Sequence, residues 1–169
     1  MRELKSPQGI GGCILLAVPV SVRREALISA LARQPTPTSF KAAASVVTPQ
    51  CAGRSYSAAD LPLVGSVVAA LHKSAAAVAL AQEFGVGQES LDQAWTAATR
   101  DEKAAYYDAA EEFLRPGGAM TPRVLDVAPL ARKTGLMMAT DEAAEPSLRT
   151  YFIYTALSER SEAVLRSAR

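Results

Sequence analysis

Thr99-Arg100-Asp101-Glu102-Lys103-Ala104-Ala105-Tyr106-Tyr107 carries the clearest structural instruction in this 169-residue chain. A threonine followed three residues later by a glutamate is a capping box, in which each side chain accepts from the other's free backbone N–H and a helix begins. Behind it Tyr106, Tyr107, Ala110, Phe113 and Leu114 recur at helical spacing, and Pro116-Gly117-Gly118 ends the run. Ahead of it, residues 89–98 place Leu91, Ala94, Trp95 and Ala98 on one side of a second helix. Two successive amphipathic helices set the class: this is an α protein.

The same reading extends in both directions. Asp60 can cap a helix with Pro62 in its first turn, where the missing N–H costs nothing, and Gly85-Val86-Gly87 stops it after Phe84. Val64, Val67, Val68, Leu71, Ala75 and Val78 form the expected buried stripe. Lys73 is the one charge between Leu61 and Gln82, so membrane contact through this segment is an alternative. A span is disfavoured, because Lys73 would sit near the bilayer centre at about 2.5–3.5 kcal/mol and alanine offsets little of that. Downstream, Asp126 and Pro129 begin a short helix that carries Arg132 and Lys133 in its last turn and stops at Gly135. A turn follows over Thr140 to Glu145, and a final helix runs from Pro146-Ser147 to about Ser167, with Leu148, Tyr151, Phe152, Thr155 and Ala156 inward. The expected fold is mainly α: a small orthogonal bundle of four or five helices forming a single domain over residues 58–169.

Residues 1–57 have another character. They hold seven basic residues against two acidic, whereas the remainder holds eleven against fifteen. Leu15, Leu16, Val20, Leu27, Ile28 and Leu31 can share a broad apolar side with Arg23, Arg24 and Arg33 nearby, the pattern of an arginine-rich targeting helix. Pro19 weakens that helix, Pro35-Thr36-Pro37-Thr38-Ser39 breaks it, and the stretch up to Arg54 shows no clear period. Arg54-Ser55-Tyr56-Ser57 looks like the cleavage point of a mitochondrial presequence, with Arg54, Tyr56 and Ser57 as its marks. Two rival readings are a secretory signal over Ile10 to Val22 behind Met1-Arg2-Glu3-Leu4-Lys5, which lacks a small-residue cleavage site, and an ordinary structured N-terminus. Both cysteines, Cys13 and Cys51, fall in this leader, so its removal would leave no thiol and no disulfide. Asparagine is absent, so no glycosylation acceptor supports secretion.

Leu91 stands four residues before Trp95, Glu102 and Lys103 seven and eight after it, Tyr106 eleven after and Ala110 fifteen after. In these spacings the segment resembles the second and third helices of the HMG box. The resemblance covers about Leu91 to Ala110 and implies an orthogonal helix pair with, in that family, binding to DNA. Between Glu89 and Arg115, however, three basic residues face seven acidic ones. Such a surface repels phosphates, which weighs against nucleic acid as a partner.

Chemistry-bearing clusters are few. His72, the single histidine, neighbours Lys73 in an alanine-rich helix and reads as a boundary residue. Asp141, Glu142 and Glu145, or Asp108, Glu111 and Glu112, could share a helix face, but neither set has the oxygen-rich loop of a calcium site. Gly9-Ile10-Gly11-Gly12 lacks the Lys-Ser/Thr of a phosphate loop. No catalytic residue, cofactor or metal is expected. The expectation is a non-catalytic helical accessory subunit of a mitochondrial multiprotein assembly, in the matrix or inner membrane, whose partners are protein subunits. Trp95, Lys103, Tyr106, Tyr107, Phe113, Tyr151, Phe152 and Tyr154 are the candidates for core or interface. The alternatives are an HMG-box-like mitochondrial DNA-binding protein and a single-span inner-membrane protein.

Overall fold

The computed structural model describes residues 9–118, 125–136 and 141–168, and they form helices without a strand. Helices α1 (Ile10–Ala17), α2 (Val20–Leu31) and α3 (Thr38–Ala52) come first. They are followed by α4 (Leu61–Phe84), α5 (Gln88–Ala97), α6 (Arg100–Phe113) and α7 (Ala128–Lys133), then by a 3-10 turn over Glu142–Ala144 and by α8 (Glu145–Ser167). Helices α4 to α8 are the five of the expected bundle.

Local signals in the bundle act as their chemistry dictates. The Asp60 carboxylate accepts from the Leu63 amide at 3.2 Å, Pro62 occupies the first turn of α4, and Gly85 ends it in the left-handed conformation with φ 68°. Both halves of the capping box form at α6: Glu102 N–H donates to Thr99 Oγ1 at 3.2 Å, and Thr99 N–H donates to Glu102 at 2.8 Å. Asp126 accepts from the Ala128 amide at 3.0 Å where α7 begins. Of the turn expected over Thr140 to Glu145, Thr140 lies outside the described residues, as do Arg2 and Lys5 of the leader.

The spine of the molecule is α4 packed along α8, the most extensive helix contact in the fold. Pairing of Ser66 with Glu162, His72 with Tyr154 and Lys73 with Tyr151 shows that the two run antiparallel. Leu63, Val67 and Leu71, at i, i+4 and i+8, line one face of α4, while Ala69, Ala76, Ala77 and Leu80 line the opposite one. The second face enters a core with Leu91, Trp95, Tyr106, Leu130, Leu148, Tyr151 and Phe152 from the bundle. The first face enters a separate cluster with Ile14, Leu15, Val18, Ala26, Phe40 and Ala44 from α1, α2 and α3. A helix apolar all round thus has protein on two sides, as its composition requires. It is also the described helix whose length and hydropathy would suffice to cross a membrane, and most of its apolar window is buried within the fold.

Residues 38–52, expected to lack a period, are helical. Their inward positions are Phe40, Ala44 and Thr48, with Cys51 one turn further on, and the Thr48 hydroxyl donates to the Ala44 carbonyl at 2.6 Å. The repeat was hidden because a threonine and a cysteine occupy two of its four positions while Val46 faces solvent. Pro49, in the last turn, removes a single helix donor just before Gly53 closes the helix at φ 68°. Pro19 divides the expected targeting helix into α1 and α2. Cys13 on α1 is joined to Cys51 on α3 by a disulfide with a Cα–Cα distance of 5.7 Å. Helix α1 lies so close to α4 that a Cβ on Gly11 would stand 2.0 Å from the Ser66 carbonyl oxygen, so glycine is the residue this crossing accepts.

Candidate functional site

The aromatic candidates converge where α5, α6 and α8 meet. Trp95 stacks on Phe152 with centroids 6.0 Å apart and meets the edges of Tyr106 at 5.8 Å and Tyr107 at 5.7 Å. Phe152 is in turn edge-on to Tyr106 and Tyr151. Trp95, Tyr106, Tyr151 and Phe152 are buried and form the bundle core; Lys103, Tyr107, Phe113 and Tyr154 are half-buried at its margin. The Lys103 ammonium lies 5.1 Å above the Trp95 ring and the Arg160 guanidinium 4.3 Å above Tyr107, so cations cap the cluster where it reaches solvent.

Three carboxylates tie helices together, two of them through this cluster, and none was singled out by sequence. Glu159 accepts from the Trp95 indole N–H at 2.8 Å and from the Tyr107 hydroxyl. Burial and that acceptor together push the Tyr107 phenol up to about 12. Asp92 accepts from the buried Tyr151 hydroxyl and pairs with Lys73 at 3.3 Å, while Lys73 also lies 5.0 Å from the Tyr151 ring. Burial, then the Asp92 acceptor, raises Tyr151 well beyond the ordinary phenol range. Glu162 sits at the N-terminus of α1, where it accepts from the Ile10 amide at 2.8 Å and the Gly11 amide at 3.3 Å, and it also bonds the Ser66 hydroxyl. A carboxylate at a helix N-terminus is favoured by the dipole and by the free donors there. Gly9-Ile10-Gly11-Gly12 therefore receives an internal carboxylate.

Beside that contact lies a hollow of about 390 Å³ lined by Gly9, Ile10, Cys13, Cys51, Ser158, Glu159, Glu162 and Arg166. It brings the disulfide next to the carboxylates of α8. His72 is half-buried and stacks on Tyr154 with centroids 4.7 Å apart, and burial lowers its pKa below the ordinary 6.5. Glu145 pairs with Arg149, and Glu111 with Arg160 at 3.3 Å. Among the described residues no group of three or more His, Cys, Asp or Glu side chains is placed to hold a metal ion.

The marks of the expected cleavage point lie in the exposed connection between α3 and α4. Arg54 bridges to Asp60 at 2.6 Å, the same residue that caps α4; Tyr56 is half-buried against the cluster of α1 to α3, and Ser57 is exposed. The fold and its contacts define a small all-α helical bundle built on one antiparallel helix pair. No family model matches the chain, and neither a curated protein nor a solved structure shows significant similarity to it.

Proposed function

We propose that this chain is a non-catalytic helical accessory subunit of a mitochondrial multiprotein assembly, acting by packing against protein partners as one folded body that includes residues 9–54. The observation that carries the reading is the use made of its ionisable groups: Asp92, Glu159 and Glu162 each bond two or more partners drawn from other helices. Carboxylates held in this way fix the angles and spacing of helices, which is the task of a packing subunit. The address rests on the arginine-rich leader. The Cys13–Cys51 disulfide adds an oxidising setting to it, which favours a compartment other than a reducing matrix.

In this reading the leader stays with the protein. Cutting at Arg54-Ser55-Tyr56-Ser57 would bare Leu63, Val67 and Leu71, which α1 and α2 now cover, and a partner would have to replace that cover. The test is the intact mass and native size of the protein isolated from its source. A full-length mass in a particle much larger than 17.8 kDa supports the proposal. A start near Ser57 returns the leader to the role of a removed presequence, and a full-length protein that migrates alone at its monomer size refutes the subunit reading.

A further inference from the structure

Helix α2 carries apolar residues on the side where none is needed for packing. At 100° per residue, Val20, Arg24, Ile28 and Leu31 fall within one sector, opposite Ala26, which is the residue α2 buries, while Leu27 at the sector's edge is half-buried against the core of α1 to α3. Val20 is 65% exposed, Ile28 56% and Leu31 42%. Leu16, in the last turn of α1, is also open to solvent, at 37%. These four are among the few large apolar side chains that the described residues leave open to solvent, and they adjoin one another in the chain. Isolated exposed aliphatics are ordinary; a row of them on one convex helix marks a contact surface.

The charges around this row select the contact. Arg24 stands within the exposed sector and exposed Arg33 follows just past the helix end. Arg23 is engaged with the carbonyls of Leu15 and Leu16, and Glu25, the acid of α2, lies on the flank and accepts from the Ser39 hydroxyl at 2.9 Å. The outer face is thus apolar and cationic. We infer that the outer face of α2 docks on the surface of an anionic lipid bilayer, with Val20, Ile28 and Leu31 at the headgroup–acyl boundary and Arg24 and Arg33 on lipid phosphates. An apolar groove in a protein would have to bury Arg24, whereas at a bilayer interface its stem lies among the lipids and its guanidinium stays in the headgroup layer. A second copy of the same face would set Arg24 and Arg33 against their own kind. From Ala58 onward the chain holds fifteen acidic residues against eleven basic, so the bundle is repelled by the surface that attracts α2 and the molecule is held in one orientation. This inference stands on α2 and does not depend on the proposed assembly.

The experiment is co-flotation of the full-length protein with vesicles of phosphatidylcholine alone and of mixed phosphatidylcholine and phosphatidylglycerol. Binding is expected to the mixed vesicles and to weaken as salt is raised. Arg24→Gln should lower the partition coefficient about fivefold, the factor for one basic residue at an anionic surface. Ile28→Ser should lower it by about an order of magnitude through lost apolar burial. Both side chains are exposed, so each variant keeps the wild-type helical circular dichroism. Failure to bind the mixed vesicles, equal binding to neutral ones, or binding that both variants leave unchanged overturns the inference. So does a dimer in solution that Ile28→Ser disperses, because the face would then belong to a second copy.

Discussion

Reduction of the Cys13–Cys51 disulfide is expected to cost this protein about 4 kcal/mol of stability. The bond joins residues separated by 38 positions, and the chain-entropy relation for a closed loop of that size gives about 13 cal/mol/K, or about 4 kcal/mol at 25 °C, from freedom restored to the unfolded chain. In the folded state the link holds the fourth residue of α1 against the last turn of α3; α1 packs on α4, and α3 packs on α1 and α2 in the cluster that contains Leu63, Val67 and Leu71. The assay is urea unfolding followed by circular dichroism, with and without a phosphine reductant. With a slope of about 2 kcal/mol/M the midpoint should fall by about 2 M on reduction. The double variant Cys13→Ser with Cys51→Ser should match the reduced wild type and ignore the reductant. Equal midpoints for oxidised and reduced protein, once mass spectrometry has verified the oxidation states, would refute the claim that the leader helices fold cooperatively with the bundle. A transition that splits in two on reduction would instead show α1 to α3 unfolding as their own unit.

Other outcomes follow from particular contacts. Glu159→Ala removes the acceptor of the buried Trp95 indole and should destabilise the fold by about 1–3 kcal/mol. Glu159→Gln keeps an acceptor oxygen and should lose much less, which unfolding followed by the fluorescence of this single tryptophan can read. His72, the one histidine, should titrate below 6.5 by proton NMR because burial disfavours its charged form. The unfolded chain then takes up that proton first as pH falls, so the contribution of His72 is fully present above 6.5 and is lost progressively below it.

Much of the bundle was legible because its signals are local. The Thr99–Glu102 box, the Asp60 cap and the stops at Gly85 and Gly135 each depend on a few neighbouring residues, and each fixed a helix end. Leu148, Tyr151, Phe152, Thr155 and Ala156 are all buried as their spacing on α8 predicts. Of Leu15, Leu16, Val20 and Ile28, read as one apolar side, Leu15 is buried and the other three are exposed: Leu15 and Leu16 lie about 100° apart on α1, and Pro19 starts α2 as a separate helix. The ties made by Asp92, Glu159 and Glu162 were not legible at all. Glu159 meets Trp95 across 64 positions and Glu162 meets the Ile10 amide across 152, and a solvated glutamate on a helix has the same sequence pattern as these two. Of the aromatic candidates, spacing foretold which residues turn inward, while the division between core and margin depended on how α6 and α8 lie against each other.

The two-faced burial of α4 sets an order of events on the ribosome. When Phe84 emerges, the leader helices that pack on the Leu63, Val67 and Leu71 face have already been synthesised, so that side lacks only Leu165 of α8. The other side must wait for α8, whose last residue is Ser167. Lengthening the chain from 84 to 167 residues takes about 4–17 s at ~5–20 residues per second. During that interval Ala69, Ala76, Ala77 and Leu80 form an open apolar strip on an otherwise settled helix, and the nascent chain is most exposed to chaperones and to off-pathway association there.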